Sequence, residues 1–240
     1  MPERFWLPLN GIDPRRVQPT HVHAAISRWF DDSAEQHRHT VKPYALSPLC
    51  ESGTGLGVEV GVLAPWAARR LRETVGTGHR LRLGSQFGIA RPPARLSQAT
   101  WDELGRSAGS RSWHLDFETP VFFRRGSRGT PLPTPAAILH GLTDRWNAFS
   151  PNPLPPLSAA EATEVWVSEI AGRSTPVSFA RTRMSGFLGS VTLRCENLTV
   201  ASRVDALLNL AEYAGCGSGT AKGFGVTRVA PDGAARREAG

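Results

Sequence analysis

Lysine is almost absent from this chain. Of 240 residues only Lys42 and Lys222 are lysines, so the basic excess is carried by arginine. That scarcity makes the two exceptions conspicuous. Cysteine is scarce too: Cys50, Cys195 and Cys216 form an odd, scattered set. Such a set argues against a disulfide framework and fits a reducing compartment, and without a CxxC pair a zinc ribbon has no ligands. No apolar run approaches the roughly 18 residues that a membrane span needs. The start, MPERFWLPLNG, lacks the basic and then apolar stretch of a signal peptide. These absences together predict a cytoplasmic protein with no membrane partner. GxxxxGK[ST] is missing, and GxGxxG fails because Thr220 stands where a third glycine would follow Gly215 and Gly217. ATP, GTP and dinucleotide sites are therefore not expected, and no cofactor is predicted.

What the chain does have is a net charge of +7 and a pI near 10.3. That balance favours a polyanionic partner, nucleic acid before membrane. It also has a glycine-rich segment. Five glycines fall within Gly215–Gly225, with Lys222 among them. Glycine reaches positive φ and lets the backbone approach a ligand closely. Successive uncovered N–H groups in such turns hold anions. Before this segment, Leu198, Val200, Val204, Leu207, Leu208 and Ala211 recur at helical spacing, and after it Phe224, Val226 and Val229 read as a strand. The order helix, loop, strand is the reverse of a nucleotide-binding loop.

Hydrophobic periodicity divides the chain into two similar halves. In the first, Phe5–Leu9 reads as a strand, Val22–Phe30 as an amphipathic helix, and Tyr44–Cys50 and Leu56–Leu63 as strands. Pro65–Val75 follows as a helix and Arg80–Ala90 as a strand around Gly84. In the second, Trp113–Phe123 is strand-like and Pro135–Phe149 helical. Val165–Ile170, Val177–Arg183 and Gly186–Glu196 read as strands, Thr199–Tyr213 as a helix and Phe224–Val229 as a last strand. The fold class expected is α+β, two tandem ferredoxin-like βαββαβ domains of the RRM-like kind. The boundaries predicted are 1–108 and 109–230, with 231–240 a disordered tail. Trp6, Trp66 and Trp101 are expected in the core, and His79, His114 and His140 in structural positions.

The segment Gly215-Cys-Gly217…Gly223-Phe224-Gly225, between a helix and a last strand, resembles the C-terminal signature of the repeat-associated RNA-binding (RAMP) superfamily. Within that superfamily the chain is most similar to the CRISPR-associated endoribonuclease that cuts repeat RNA in the precursor transcript. A second stretch, HRHTVKPYALS, carries His37, Lys42, Tyr44 and Ser47 in the order that family often shows after its first helix. The tyrosine that some members place on that helix is missing from Ile26-Ser27-Arg28.

The resemblance implies a metal-independent reaction. The ribose 2′-OH attacks the adjacent phosphate, leaving a 2′,3′-cyclic phosphate and a 5′-OH. Histidine suits either proton transfer near neutrality, and lysine suits the phosphate charge. The catalytic candidates are His37, with His39 as the alternate, Lys42, and His23 and Ser27 as helpers on the polar face of the first helix. For RNA binding the candidates are Gly215, Gly217, Ser218, Gly219, Thr220, Lys222 and Gly223, with Arg124, Arg125, Arg181 and Arg183 extending the track. The pairs His21/His23 and His37/His39 do not make a metal site, because positions i and i+2 of a helix face different ways. The partners implied are a repeat-hairpin RNA, with CRISPR effector subunits or a second copy of the chain as further candidates. The alternative activity is that of a non-catalytic RAMP subunit holding guide RNA.

Overall fold

The computed structural model describes residues 1–31, 41–106, 108–126, 128–179 and 182–231. The first half runs β1 (Glu3–Asn10), α1 (Pro19–Ile26), β2 (Tyr44–Leu46), β3 (Cys50–Ser52), β4 (Gly55–Val62), α2 (Pro65–Val75), β5 (His79–Leu83), β6 (Gln86–Ala90) and β7 (Ala94–Gln98). A short helix, α3 (Trp101–Gly105), leads to the second half. There follow β8 (Ser112–Val121), β9 (Phe123–Arg125), β10 (Arg128–Thr130), α4 (Pro135–Phe149), α5 (Ala159–Thr163), β11 (Val165–Phe179), β12 (Thr182–Cys195), α6 (Leu198–Ala214) and β13 (Thr227–Pro231). The architecture is mixed α+β with antiparallel sheets. One sheet is ordered β2-β4-β1-β6-β5, with β3 on β4 and β7 on β1, and another β11-β12-β8-β13.

Alternation along the strands builds the cores. Val58, Val60 and Val62 of β4 and Phe5, Leu7 and Leu9 of β1 face α1 and α2, and all are buried. Burying each such side chain stabilises by roughly 1.5–3 kcal/mol. The helices start where their sequence allows. Pro19, Pro65 and Pro135 each stand in a first turn, where no N–H is needed. Asn197 caps α6 by accepting from the N–H groups of Thr199 and Val200. Eleven of the 17 residues of α6 are buried, because this helix packs on its own sheet and on the first half as well.

The outward positions of β4 meet the second half. A Cβ on Gly61 would lie 1.9 Å from the Tyr213 carbonyl oxygen, so only glycine lets α6 come this close. Two positions earlier on the same face, Glu59 takes both 2.8 and 2.9 Å bonds from the Arg228 guanidinium of β13. Arg228 also donates to Glu118 at 3.0 Å.

Several elements differ from the sequence-based expectation. The strand expected over Tyr44–Cys50 is split into β2 and β3, since Pro48 interrupts the ladder on β4. Arg80–Ala90 is a hairpin, β5–β6, turning at Gly84 with φ 66°. The helix expected to reach Phe30 ends at Ile26 and tightens into a 3₁₀ turn at Ser27–Trp29. The strands expected over Val165–Ile170 and Val177–Arg183 join instead into β11, which runs unbroken to Phe179, while Arg183 already belongs to its hairpin partner β12. Pro176 is tolerated there because β11 is the sheet edge. Trp6 and Trp101 are buried, but Trp66 is 41% exposed on the first turn of α2.

Replacing Gly61 with alanine should destabilise the protein by about 1–3 kcal/mol, the usual result of forcing atoms into a packed interface. A denaturant midpoint equal to that of the wild type would mean that α6 does not seat on β4 as described.

Candidate active site

The glycine loop is a product of close backbone packing. Gly215, Gly217, Gly219, Gly223 and Gly225 all have φ between 64° and 89°. A Cβ on Gly225 would meet the Cys216 carbonyl at 1.9 Å, and one on Gly217 the Phe122 carbonyl at 2.5 Å. Ser218 N–H donates to the Phe122 carbonyl at 2.8 Å and Gly225 N–H to that of Pro120 at 3.1 Å. The loop is thus laced to the end of β8, and its glycines are required by that fold before any ligand arrives. Gly217, Ser218, Gly219 and Lys222 are half-buried, whereas Gly215, Thr220 and Gly223 are buried. The Cys216 thiol is pushed up to about 11 by burial and stays protonated near neutrality.

Arg145 of α4 holds this loop from beneath, and nothing in the sequence pattern singled it out. Its guanidinium donates to the Gly217 carbonyl at 2.7 Å, to Thr220 Oγ1 at 3.3 Å and to Gly141 O at 3.0 Å. The Thr220 side chain, expected at the RNA surface, is therefore engaged inward. Burial lowers the Arg145 pKa, yet an arginine remains charged there.

The loop's outer side meets the first half at α1. His23 Nδ1 lies 2.8 Å from the Ala221 carbonyl. A carbonyl only accepts, so His23 Nδ1 carries a proton and donates it to Ala221. The Phe179 ring, at the end of β11, lies edge-on to His23 at 5.7 Å and edge-on to Phe224 at 6.1 Å. Lys222 Nζ sits 4.7 Å from the centroid of that ring. The Lys222 ammonium is disfavoured by burial, then by the nearby charges of Arg124 and Lys42, so its pKa falls below the ordinary lysine value. The two lysines of the chain, separated by 180 positions, are thereby brought into one electropositive neighbourhood.

Lys42 is itself anchored. Its ammonium donates to both Asp31 carboxylate oxygens at 3.0 Å, and both side chains are largely buried. Tyr44 stacks on Phe30 at 4.4 Å and donates to Asp31 at 3.4 Å. Burial, then Asp31, raises the Tyr44 pKa, so the phenol stays protonated. Asp31 and Lys42 flank the stretch containing His37 and His39, both of which lie outside the described residues. Asp31 is the second residue that the sequence reading missed; a lone aspartate after a helix carries no signal until its partner is placed.

The remaining candidates divide. Ser27 is 2% exposed and His23 8%, so the α1 face expected to look into an open cleft is covered. The reason is that the glycine loop and Phe179 pack against it. Arg124 is exposed on β9, and Arg183 is exposed at the far end of the β11–β12 ladder from Val165 and Cys195, paired in register with Ser178. Arg125 lies on β9, and Arg181 falls outside the described residues. His79 packs on Trp29 and His114 lies 3.2 Å from Thr192 Oγ1, while His140 is exposed beside Asp144. Among the described residues no group of three or more His, Cys, Asp or Glu is placed to hold a metal, and no helix is long and apolar enough to cross a membrane.

This geometry has known relatives. The family model for CRISPR-associated endoribonuclease Cas6 matches residues 115–227. A Cas6 endoribonuclease of Mycobacterium tuberculosis is 27% identical over 224 residues, covering 88% of this chain and 71% of that protein. A Cas6 product complex matches with a TM-score of 0.80 and 25% identity, over 96% of this chain and 100% of that one. Thermus thermophilus Cas6 matches with a TM-score of 0.71 and 26% identity, over 96% and 98%. The chain is similar to the Cas6 family of CRISPR-associated endoribonucleases, in its second half by the family model and along most of its length by the relatives. The Cas6 family match runs from Leu115 of β8 to Thr227 and so contains the whole glycine loop. Lys42 and His23 lie outside that match, in the half that joins the Cas6 likeness through the whole-chain comparisons.

With only two lysines, the site can be read directly by carbon NMR of the lysine Cε atoms. Lys222 should titrate below the ordinary lysine value, and Arg124→Ala should move its midpoint up by relieving like-charge repulsion. A Lys222 midpoint at the ordinary value in the wild type would place its ammonium in open solvent.

Proposed function

We propose that this chain cleaves CRISPR precursor RNA within its repeats, without a metal, by attack of the ribose 2′-OH on the neighbouring phosphate. The observation that carries the reading is the convergence of Lys42, Lys222, His23 and Arg124 at the seam between α1, β2 and the glycine loop. In the reaction the O2′–P bond forms and the P–O5′ bond breaks. One group removes the 2′ proton and another gives a proton to the leaving 5′ oxygen, so the products carry a 2′,3′-cyclic phosphate and a 5′-OH. His37 acts as the general base or acid, with His39 as the alternate. Lys42, oriented by Asp31, stabilises the phosphate charge as a fixed cation. His23 holds the glycine loop through Ala221, the residue before Lys222. Ser27 is the least favoured of the helpers, because it is buried.

RNA is held by backbone shape more than by sequence. The half-exposed edge of the loop, Gly217 to Gly219 with Lys222, takes phosphates, and Arg124, Arg125, Arg181 and Arg183 continue the track. The substrate is a repeat hairpin, and the protein works in the cytoplasm, with a second copy or effector subunits as further partners. The strand order second-third-first-fourth, common to both sheets, supports two tandem ferredoxin-like domains over 1–108 and 109–230. The Cas6 product complex among the relatives supports cleavage over mere guide-RNA holding.

Two experiments test this. Repeat-hairpin RNA should be cut in EDTA, and the same RNA with a 2′-deoxy scissile nucleotide should stay intact. His37→Ala should slow single-turnover cleavage by about 10²–10⁴-fold while leaving binding in place. Full activity would remove His37 from the chemistry, and tight binding by wild-type protein with no cleavage would favour the guide-RNA subunit. Separately, Lys222→Ala should weaken hairpin binding and reduce its salt slope by about one charge. Unchanged affinity would leave the loop with a structural role alone.

A further inference from the structure

The first sheet has one face under α1 and α2, and its other face is only partly covered. Over β4 and β2 that second face is occupied by α6 and β13. Over β5 and β6 no described element covers it, and Phe87 and Ile89 are exposed. The alternation is clean: Leu81, Leu83 and Ala90 are buried toward the helices, and Arg80, Arg82, Phe87 and Ile89 point the other way and are exposed. Phe87 is 55% exposed and Ile89 42%. The Arg80 guanidinium lies 4.6 Å from the Phe87 ring centroid and that of Arg82 at 6.0 Å. Beside them a groove of about 680 Å³ is lined by Gly11, Gly78 and Gly88 and flanked by Arg80 and Arg91, with no carboxylate among its described lining residues.

Each of these features favours one kind of ligand. An exposed phenylalanine on an open antiparallel sheet face offers a flat surface for a base. Guanidinium groups held against that ring extend the stacking layer and present charge to phosphates. Gly11 and Gly78 carry no side chain that would narrow the groove for a sugar–phosphate chain. Among the described residues the lining is cationic and carries no carboxylate to repel a polyanion.

We infer that the open β5–β6 face is a second RNA site, in which a single-stranded part of the transcript outside the repeat hairpin stacks a base on Phe87 and lays its phosphates against Arg80, Arg82 and Arg91. The inference rests on the RNA-processing reading above. It adds a site on the opposite side of the sheet from His23, made from the first half alone. A strand reaches it by passing over the β5 edge, where His79 packs on Trp29. Binding there is tolerant of sequence, because every base has a stacking face.

The test compares two RNAs, the bare repeat hairpin and the same hairpin with an oligouridine tail at either end. Wild-type protein should bind a tailed hairpin more tightly than the bare one. Phe87→Ala should weaken tailed-RNA binding by about 5–100-fold, the usual loss for one stacked base, and leave bare-hairpin affinity unchanged. Phe87→Trp should restore the tail's contribution. Arg80→Ala with Arg82→Ala should remove it and flatten its salt dependence. Equal affinities of all variants for tailed RNA, or equal losses on both RNAs, would overturn the proposal. So would a change in oligomeric state of Phe87→Ala with tail binding intact, which would assign the patch to a second copy of the chain. Failure of wild-type protein to bind the bare hairpin would count against the processing reading itself, not against this face alone.

Discussion

The close approach of α6 to β4 governs the arrangement of everything else. Gly61 has no side chain, and the Tyr213 carbonyl occupies the place one would take. Because the backbones touch there, Arg228 reaches Glu59 with both of its bonds, and the loop that follows α6 is delivered onto α1. A wider gap between the halves would separate Lys222 from Lys42 and leave His23 without the Ala221 carbonyl. The chemistry proposed for this chain is thus built at an interface, and neither half holds the full set of groups.

Within that interface, charge and packing oppose each other. Lys222 and Arg145 are cations held in partly or fully dry surroundings, and burial lowers the pKa of both. The structure offsets this with carbonyl and hydroxyl acceptors on Arg145 and with the Phe179 ring under Lys222. Lys42 is stabilised differently, by a bidentate carboxylate. A cation fixed in place needs little reorganisation when charge develops on a phosphate, which is the condition for electrostatic catalysis. It also explains why a chain rich in arginine keeps lysine at these positions: the compact ammonium fits beside a ring or between two carboxylate oxygens, where a planar guanidinium presents a different shape.

The glycine segment illustrates how one sequence feature can answer two demands. Its composition marks an unusual backbone, and the five positive φ values agree. The immediate cause is contact with Phe122, Cys216 and Gly225 itself. The anion binding proposed for the loop uses the edge left over, around Gly217 to Gly219 and Lys222. Counting glycines could not separate the residues that make the loop from those that face outward, because both need the same conformational freedom.

Local pattern determined the helices over Pro65–Val75 and Pro135–Phe149, the burial of alternate residues on β1 and β4, and the glycine turn after α6, since proline position, period and glycine content act over a few residues. It also picked out Lys42 and Lys222 by rarity alone. Tertiary structure decided what those residues meet. That Asp31 clamps Lys42, that Arg145 supports the loop, that Ser27 is covered, and that β11 continues through Gly172 and Pro176 as an edge strand all depend on partners distant in the chain. Such pairings are set by how two sheets and their helices pack, and a carboxylate or guanidinium shows no sequence period that announces its partner.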